Sequence, residues 1–292
     1  MTTQPSKNRR AAFTDRPYPK RHGQRPITKY QDMFSPLTKN QIDVWLLPID
    51  GWNFTELGDR LINNLLSKQE QLRFGRYRPV TKKAEFLASR LLLRHLLTNY
   101  TGCDPSETEA IPDDMGRPFW EQAGNNIDLF FSLSHTKSMI CCALSRNKEI
   151  GCDIESLQPR KYQENLTDRV FSKKEQKFYR ELPTTTSVEF FYRSWTLKEA
   201  FAKALGQGLR IPFTSLSYTY LATNSGTFRV SPKHLGCNWT TVPYCFQSSI
   251  PIPGYALGIA TPLTSPAINI IFAQLRSEEI TSQDVRGNAT QS

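Results

Sequence analysis

The sequence contains no apolar run near the ~18 residues that a membrane-spanning helix needs. Its longest apolar stretches, 139–144 and 268–275, fall far short in a chain of 292 residues, and an N-terminal apolar core of secretory type is also missing. Neither a membrane protein nor an exported one is expected. The six cysteines (Cys103, Cys141, Cys142, Cys152, Cys237 and Cys245) include no C-x-x-C pair and no histidine at zinc spacing. A chain of this size needs no disulfide framework, so reduced core thiols in a soluble, cytoplasmic protein are expected. Acids are scarce relative to bases, 27 against 37, for a net charge of +10. Residues 1–30 hold eight of the bases, one acid, and Pro5, Pro17, Pro19 and Pro26. The basicity is therefore mainly that of a tail with little to bury, read as a disordered, solvated extension over 1–38 in preference to a polyanion-binding arm or a targeting peptide. Nucleic acid is not the expected partner.

An apolar content of 38% is enough for one large or two medium domains. Alternation at Ile42, Val44 and Leu46 predicts a first strand, closed by Pro48 and the turn Asp50-Gly51. Leu57, Leu61 and Leu65 lie on one helical stripe, and a second helix is predicted over 82–97 from Ala84, Leu87, Ala88, Leu91 and His95. Asp113-Asp114-Met115-Gly116 reads as a turn before strands at 129–133, 139–144 and 150–155. Helices are expected at 162–171, 172–182 and 187–205, the last stopped by Gly206 and Gly208. Strands follow at 216–221, 227–230, 239–246 and 255–261, and 276–292 reads as a frayed tail. No repeat is evident that would by itself establish two equivalent halves. The fold class is α+β, antiparallel strands packed with helices.

Three segments carry chemistry. In Ile150-Gly151-Cys152-Asp153-Ile154-Glu155, strand alternation turns Ile150, Cys152 and Ile154 inward and sets Asp153 and Glu155 together on the other face, their Cα atoms about 6.6 Å apart. Two such carboxylates repel unless a cation or base lies between them, although a solvated strand edge would carry the same pattern. In the helix containing Trp195-Thr196-Leu197-Lys198-Glu199-Ala200-Phe201-Ala202-Lys203, residues Trp195, Glu199 and Lys203 form one row. A carboxylate for a metal beside a lysine for phosphate would explain it; a surface ion pair is the plainer alternative. In Phe131-Ser132-Leu133-Ser134-His135, hydroxyls and an imidazole reach a strand end, where they could donate to phosphate oxygens. A capped turn, or a Ser/His nucleophile pair, would also fit these residues.

Taken together, G-C-D-I-E, W-T-L-K-E-A-F-A-K-A-L-G-Q-G-L and F-S-L-S-H resemble the 4′-phosphopantetheinyl transferases of the surfactin-synthetase-activating (Sfp-like) type, over about residues 40–260. Ser132 stands where relatives often have Asn, and Cys152 where they often have Val or Ile. The resemblance implies two similar α+β halves related by a pseudo-twofold, 39–147 and 148–265, joined near 146–149, with coenzyme A in the cleft between them; the tails at 1–38 and 276–292 lie outside it. It implies magnesium held by Asp153, Glu155 and Glu199. Lys203 would contact the coenzyme's pyrophosphate, Ser134, His135 and Arg117 (in Gly116-Arg117-Pro118) its phosphates, and Arg73 its 3′-phosphate, with Arg76 competing for that last role.

The implied reaction moves the phosphopantetheine arm of coenzyme A to a serine of an apo acyl or peptidyl carrier protein and releases 3′,5′-ADP. Magnesium and Lys203 would stabilise charge on the leaving phosphate. Glu199 would act as base, with Lys198 as its modulator, or would only hold magnesium while water relays the proton. The segment 170–179, with Lys173, Lys174 and Lys177 beside Phe171 and Phe178, could dock an acidic carrier, or could be an ordinary amphipathic helix. Size and resemblance imply a monomer. The rival readings are a nucleic-acid-binding protein using the basic arm and a magnesium-dependent nucleotide hydrolase.

Overall fold

In the computed structural model, residues 34–50, 52, 62, 66–103, 110–112, 118–120, 128–147, 149–159, 163–217, 227–230, 242, 244–263 and 266–273 are described. Strand β1 (Gln41–Pro48) follows the predicted alternation and is buried on both faces. Helix α1 (Lys68–Arg76) and the long helix α2 (Val80–Thr101) come next. A two-stranded hairpin pairs β2 (Ala110–Pro112) with β3 (Pro118–Trp120), and β4 (Phe130–Thr136) turns tightly into β5 (Met139–Ser145). The chain then crosses to β6 (Gly151–Ser156), α3 (Gln163–Val170), α4 (Lys173–Glu181) and α5 (Thr184–Ala204). It ends with β7 (Thr227–Val230), β8 (Tyr244–Ile252), β9 (Tyr255–Thr261) and β10 (Ala267–Phe272).

Two four-stranded sheets result, in the orders β10-β1-β5-β4 and β6-β9-β8-β7. They stack face to face because β1 and β5 are apolar on both sides. Trp45, Leu47, Ile140, Cys142 and Leu144 face α2. Ile42, Val44, Leu46, Cys141 and Ala143 meet Ile150, Cys152, Ile154, Leu257 and Ile259 of the second sheet. The far side of that sheet carries α5, so the layers run helix, sheet, sheet, helix. The closeness of α5 is set by missing side chains. A Cβ on Gly258 would stand 2.5 Å from the Thr196 carbonyl, and one on Gly151 would run into the Ala200 carbonyl oxygen. Only glycine lets the helix backbone lie this near the strands.

The equivalence of the halves, not evident as a repeat, becomes legible once contacts are known. Ser67-Lys68-Gln69-Glu70-Gln71 opens α1 and Ser172-Lys173-Lys174-Glu175-Gln176 opens α4, each as a reciprocal capping box. Gln71 Nε2 donates to Leu66 O at 2.9 Å, and Gln176 Nε2 to Phe171 O at 3.1 Å. Glu70 pairs with Arg94 of α2 at 2.9 Å as Glu175 pairs with Lys198 of α5 at 2.6 Å. The three-strand order β1-β5-β4 also matches β6-β9-β8.

Several expectations need correction. The disordered tail cannot extend to 38: Leu37 is buried and Phe34 stacks on Trp45 with centroids 5.0 Å apart. Residues 1–33, and Leu57, Leu61 and Leu65 of the first helical stripe, lie outside the described residues. The helix expected at 82–97 is longer at both ends, running from just after Pro79 to the left-handed Gly102, although its buried residues lie within 85–97. The strand expected from 216 is preceded by a 3-10 turn at Phe213–Ser215 and is not a strand at 216–217. β8 is displaced to later residues than 239–246. The apolar 268–275 stretch supplies β10, which returns to pair parallel with β1 in the other half's sheet. A long-range pairing of this kind leaves no local signal.

Candidate active site

At β6 the two sheets meet edge to edge, and hydroxyls take the place of a backbone ladder. Strand β4 runs beside it in the same direction and presents Ser132, Ser134 and Thr136 at period two. Cys152 N donates to Ser132 Oγ at 3.0 Å and Ile154 N to Ser134 Oγ at 3.3 Å, which satisfies the edge of β6. Ser134 Oγ in turn donates to Asp153 Oδ1 at 2.7 Å, and Thr136 Oγ1 to Glu155 Oε2 at 3.1 Å. The single proton of Ser134 is thus directed at Asp153 in this structure.

As expected from strand alternation, Asp153 and Glu155 share the face opposite Ile154. Asp153 is not on a solvated edge, however: it is buried under α5. Lys203 Nζ reaches down to donate to Asp153 Oδ1 at 2.7 Å and to Cys152 O at 3.1 Å. Burial opposes the charge on Lys203, but Asp153 and Cys152 outweigh it and hold its pKa above the usual lysine value. Asp153 Oδ2 is buried without a hydrogen-bond partner. One turn before Lys203, burial and the charges of Asp153 and Glu155 push the Glu199 carboxyl up to about 7, against the pull of Lys203. The three acids therefore sense one another across the β6–α5 contact. Among the described residues, no three side chains of metal-ligating type already stand together as a metal cage.

Lys198 is no neighbour of this site. The helix turns it about 100° away from Glu199, into full burial, where its ammonium donates to Glu175 Oε2 at 2.6 Å and to the carbonyls of Val170, Phe213 and Leu216. It ties α4 and the following turn to α5 and cannot modulate a base. Trp195, partly buried, likewise packs on the core, stacked on Phe191 and edge-on to Phe213.

A groove of about 800 Å³ opens beside Glu155, lined also by Lys82, Glu85, His135 and Tyr192 among others, while Asp153, Glu199 and Lys203 are not among its lining residues. His135 Nδ1 lies 3.1 Å from Glu85 Oε2. Burial lowers the His135 pKa below its usual value despite the neighbouring Glu85 carboxylate. Lys82 Nζ also binds Glu85, at 2.6 Å. Arg73 and Arg76 are both exposed on α1, Arg73 with its guanidinium 5.8 Å from the Phe86 ring; neither lines the groove. Arg117 lies outside the described residues. Glu85 and Thr136 were not singled out from sequence. Thr136 carried a signal, the continuation of the S-x-S period.

The other half has no such constellation. The matched pairs Glu70–Arg94 and Glu175–Lys198 place His95 where α5 has Glu199 and Asn99 where it has Lys203. Phe34 packs edge-on to His95, centroids 5.6 Å apart. The acidic site is therefore present in the C-terminal half alone among the described residues.

Residues 149–260 match the sequence profile of the 4′-phosphopantetheinyl transferase superfamily, and 51–147 match that of the 4′-phosphopantetheinyl transferase N-terminal region. The chain is 31% identical over 173 residues to the 4′-phosphopantetheinyl transferase HetI of Nostoc sp., covering 59% of this chain and 72% of that protein. The chain belongs to the 4′-phosphopantetheinyl transferases. Further relatives are a putative 4′-phosphopantetheinyl transferase of Synechocystis sp., 30% identical over 62% of this chain and 80% of its own, and the 4′-phosphopantetheinyl transferase gsp of Aneurinibacillus migulanus, 29% identical over 54% and 65%. This transferase's two profile matches meet at the crossing from β5 to β6, so the boundary between them is the boundary between the sheets. No helix among its described residues is long and apolar enough to cross a membrane.

Proposed function

We propose that this transferase takes the phosphopantetheine arm from coenzyme A and places it on a serine of an apo acyl or peptidyl carrier protein, releasing 3′,5′-ADP, with magnesium held by Asp153, Glu155 and Glu199. The observation that carries the reading is the Asp153–Lys203 pair at 2.7 Å beside the raised carboxyl of Glu199. The donor set suits a hard divalent cation: three carboxylates, one of them with a buried oxygen lacking any partner. When bound, the metal would neutralise diphosphate charge.

The chain's own residues supply the rest. Lys203, kept charged by Asp153, stabilises negative charge on the leaving phosphate. His135, with Nδ1 beside Glu85, lines the groove in which the coenzyme would lie. Glu199 takes up the serine proton; as a metal ligand it is a weak base, so the proton passes through water. Exposed Lys173, Lys174 and Lys177 with Phe178, 46% exposed, form the proposed face for an acidic carrier. Phe171 has no part in it, being fully buried. Size and family resemblance suit a chain acting as a monomer, and the buried free thiols of Cys103, Cys141, Cys142, Cys152 and Cys245 suit a reducing, cytoplasmic setting.

The test is incubation with coenzyme A, magnesium and an apo carrier, read by mass spectrometry of the carrier. The wild type adds the phosphopantetheine mass, while Asp153→Ala and Lys203→Ala abolish the addition with unchanged far-UV circular dichroism. Near-normal transfer by either variant refutes the assignment. Hydrolysis of coenzyme A without carrier modification would favour the hydrolase reading, and salt-sensitive nucleic-acid binding without transfer would favour the basic-arm reading.

A further inference from the structure

Three side chains of β4 face β6, and they do unequal work. Ser132 Oγ accepts from Cys152 N and touches no acid. Ser134 Oγ both accepts from Ile154 N and donates to Asp153 Oδ1. Thr136 Oγ1 donates to Glu155 Oε2 at 3.1 Å. Thr136 is buried, so its hydroxyl must have a partner, and Glu155 supplies it.

Asp153 has a short side chain pinned by Ser134 and by Lys203. Glu155 has one more rotatable bond and lines the open groove, so it has more orientations to lose before it can act as a ligand. A β-branched threonine is stiff at χ1, which fixes the direction in which its hydroxyl points. We infer that Thr136 is a positioning residue of Glu155, its hydroxyl orienting the carboxylate toward Asp153 and Glu199. The inference rests on the proposal that Glu155 is a metal ligand. Ligand carboxylates are characteristically held by a second hydrogen bond of this kind, whose loss costs about 10- to 100-fold in metal affinity.

The test measures manganese binding to the whole protein by electron paramagnetic resonance, at saturating coenzyme A, without any carrier. Thr136→Val removes the donor at nearly constant volume and is expected to weaken manganese binding by about tenfold or more. Thr136→Ser retains the hydroxyl and should bind within about threefold of wild type. Ser132→Ala removes an equal hydroxyl from the same strand contact; it should lower the melting temperature yet leave manganese affinity in place, which separates positioning from general support. If Thr136→Val binds manganese as the wild type does, or if Ser132→Ala weakens it equally, the positioning role is overturned while the metal site stands. If the wild type itself binds no manganese, the metal reading falls and the positioning role falls with it.

Discussion

His95 should make the protein acid-sensitive in a window set by burial. Its imidazole lies on α2 against the ring of Phe34, and burial lowers its pKa from 6.5 to about 4. The unfolded chain takes up the proton near 6.5, the folded chain only near 4. The contribution to stability is therefore complete above the unfolded value and is lost as pH falls toward the folded one. From these two values, lowering the pH from 7.5 to 5.0 removes about 2 kcal/mol, reduced toward ~1 kcal/mol by screening at a partly exposed group. Urea unfolding of wild type and His95→Gln at both pH values isolates the effect, since every other titrating group is common to both. The wild type should lose about 1 to 2 kcal/mol more than the variant on acidification. Parallel losses would refute the claim that His95 is held neutral by burial.

Gly151→Ala should cost several kcal/mol by overpacking, because the new methyl meets the α5 backbone at Ala200 and Ala204. Gly75→Ala, in α1 with open space around it, should instead stabilise by about 0.5 to 1 kcal/mol; urea midpoints decide both. Lys198→Met should cost about 3 to 5 kcal/mol by taking the ammonium away from the buried Glu175 carboxylate, and adding Glu175→Gln should recover part of that loss in thermal melts. A Lys198→Met protein as stable as the wild type would show that the buried pair is not what joins α4 to α5.

Strand alternation in Cys152-Asp153-Ile154-Glu155 and helical spacing at Glu199 and Lys203 were legible without coordinates, because each is a local periodicity that a regular backbone turns into a shared face. The same logic placed Ser132 and Ser134 opposite Phe131 and Leu133. It could not say what those faces met. Lys198 looked like a companion of Glu199 because the two are adjacent in sequence, yet one helical step carries it into a buried pair with Glu175. Ser134 reads locally as a strand-end hydroxyl, and only the neighbouring β6 brings it to Asp153.

Local residue order thus determined the elements, the faces and the residue types able to hold a cation and a phosphate. Tertiary structure alone decided that β10 returns to β1, that His95 and Asn99 stand where the other half has Glu199 and Lys203, and that two glycines let α5 approach until Lys203 reaches Asp153. The physical reason is range. Periodicity and capping act within a few residues of chain, whereas burial, ion pairing and the edge-to-edge hydroxyl contacts join groups about 20 to 230 positions apart, which no local pattern encodes.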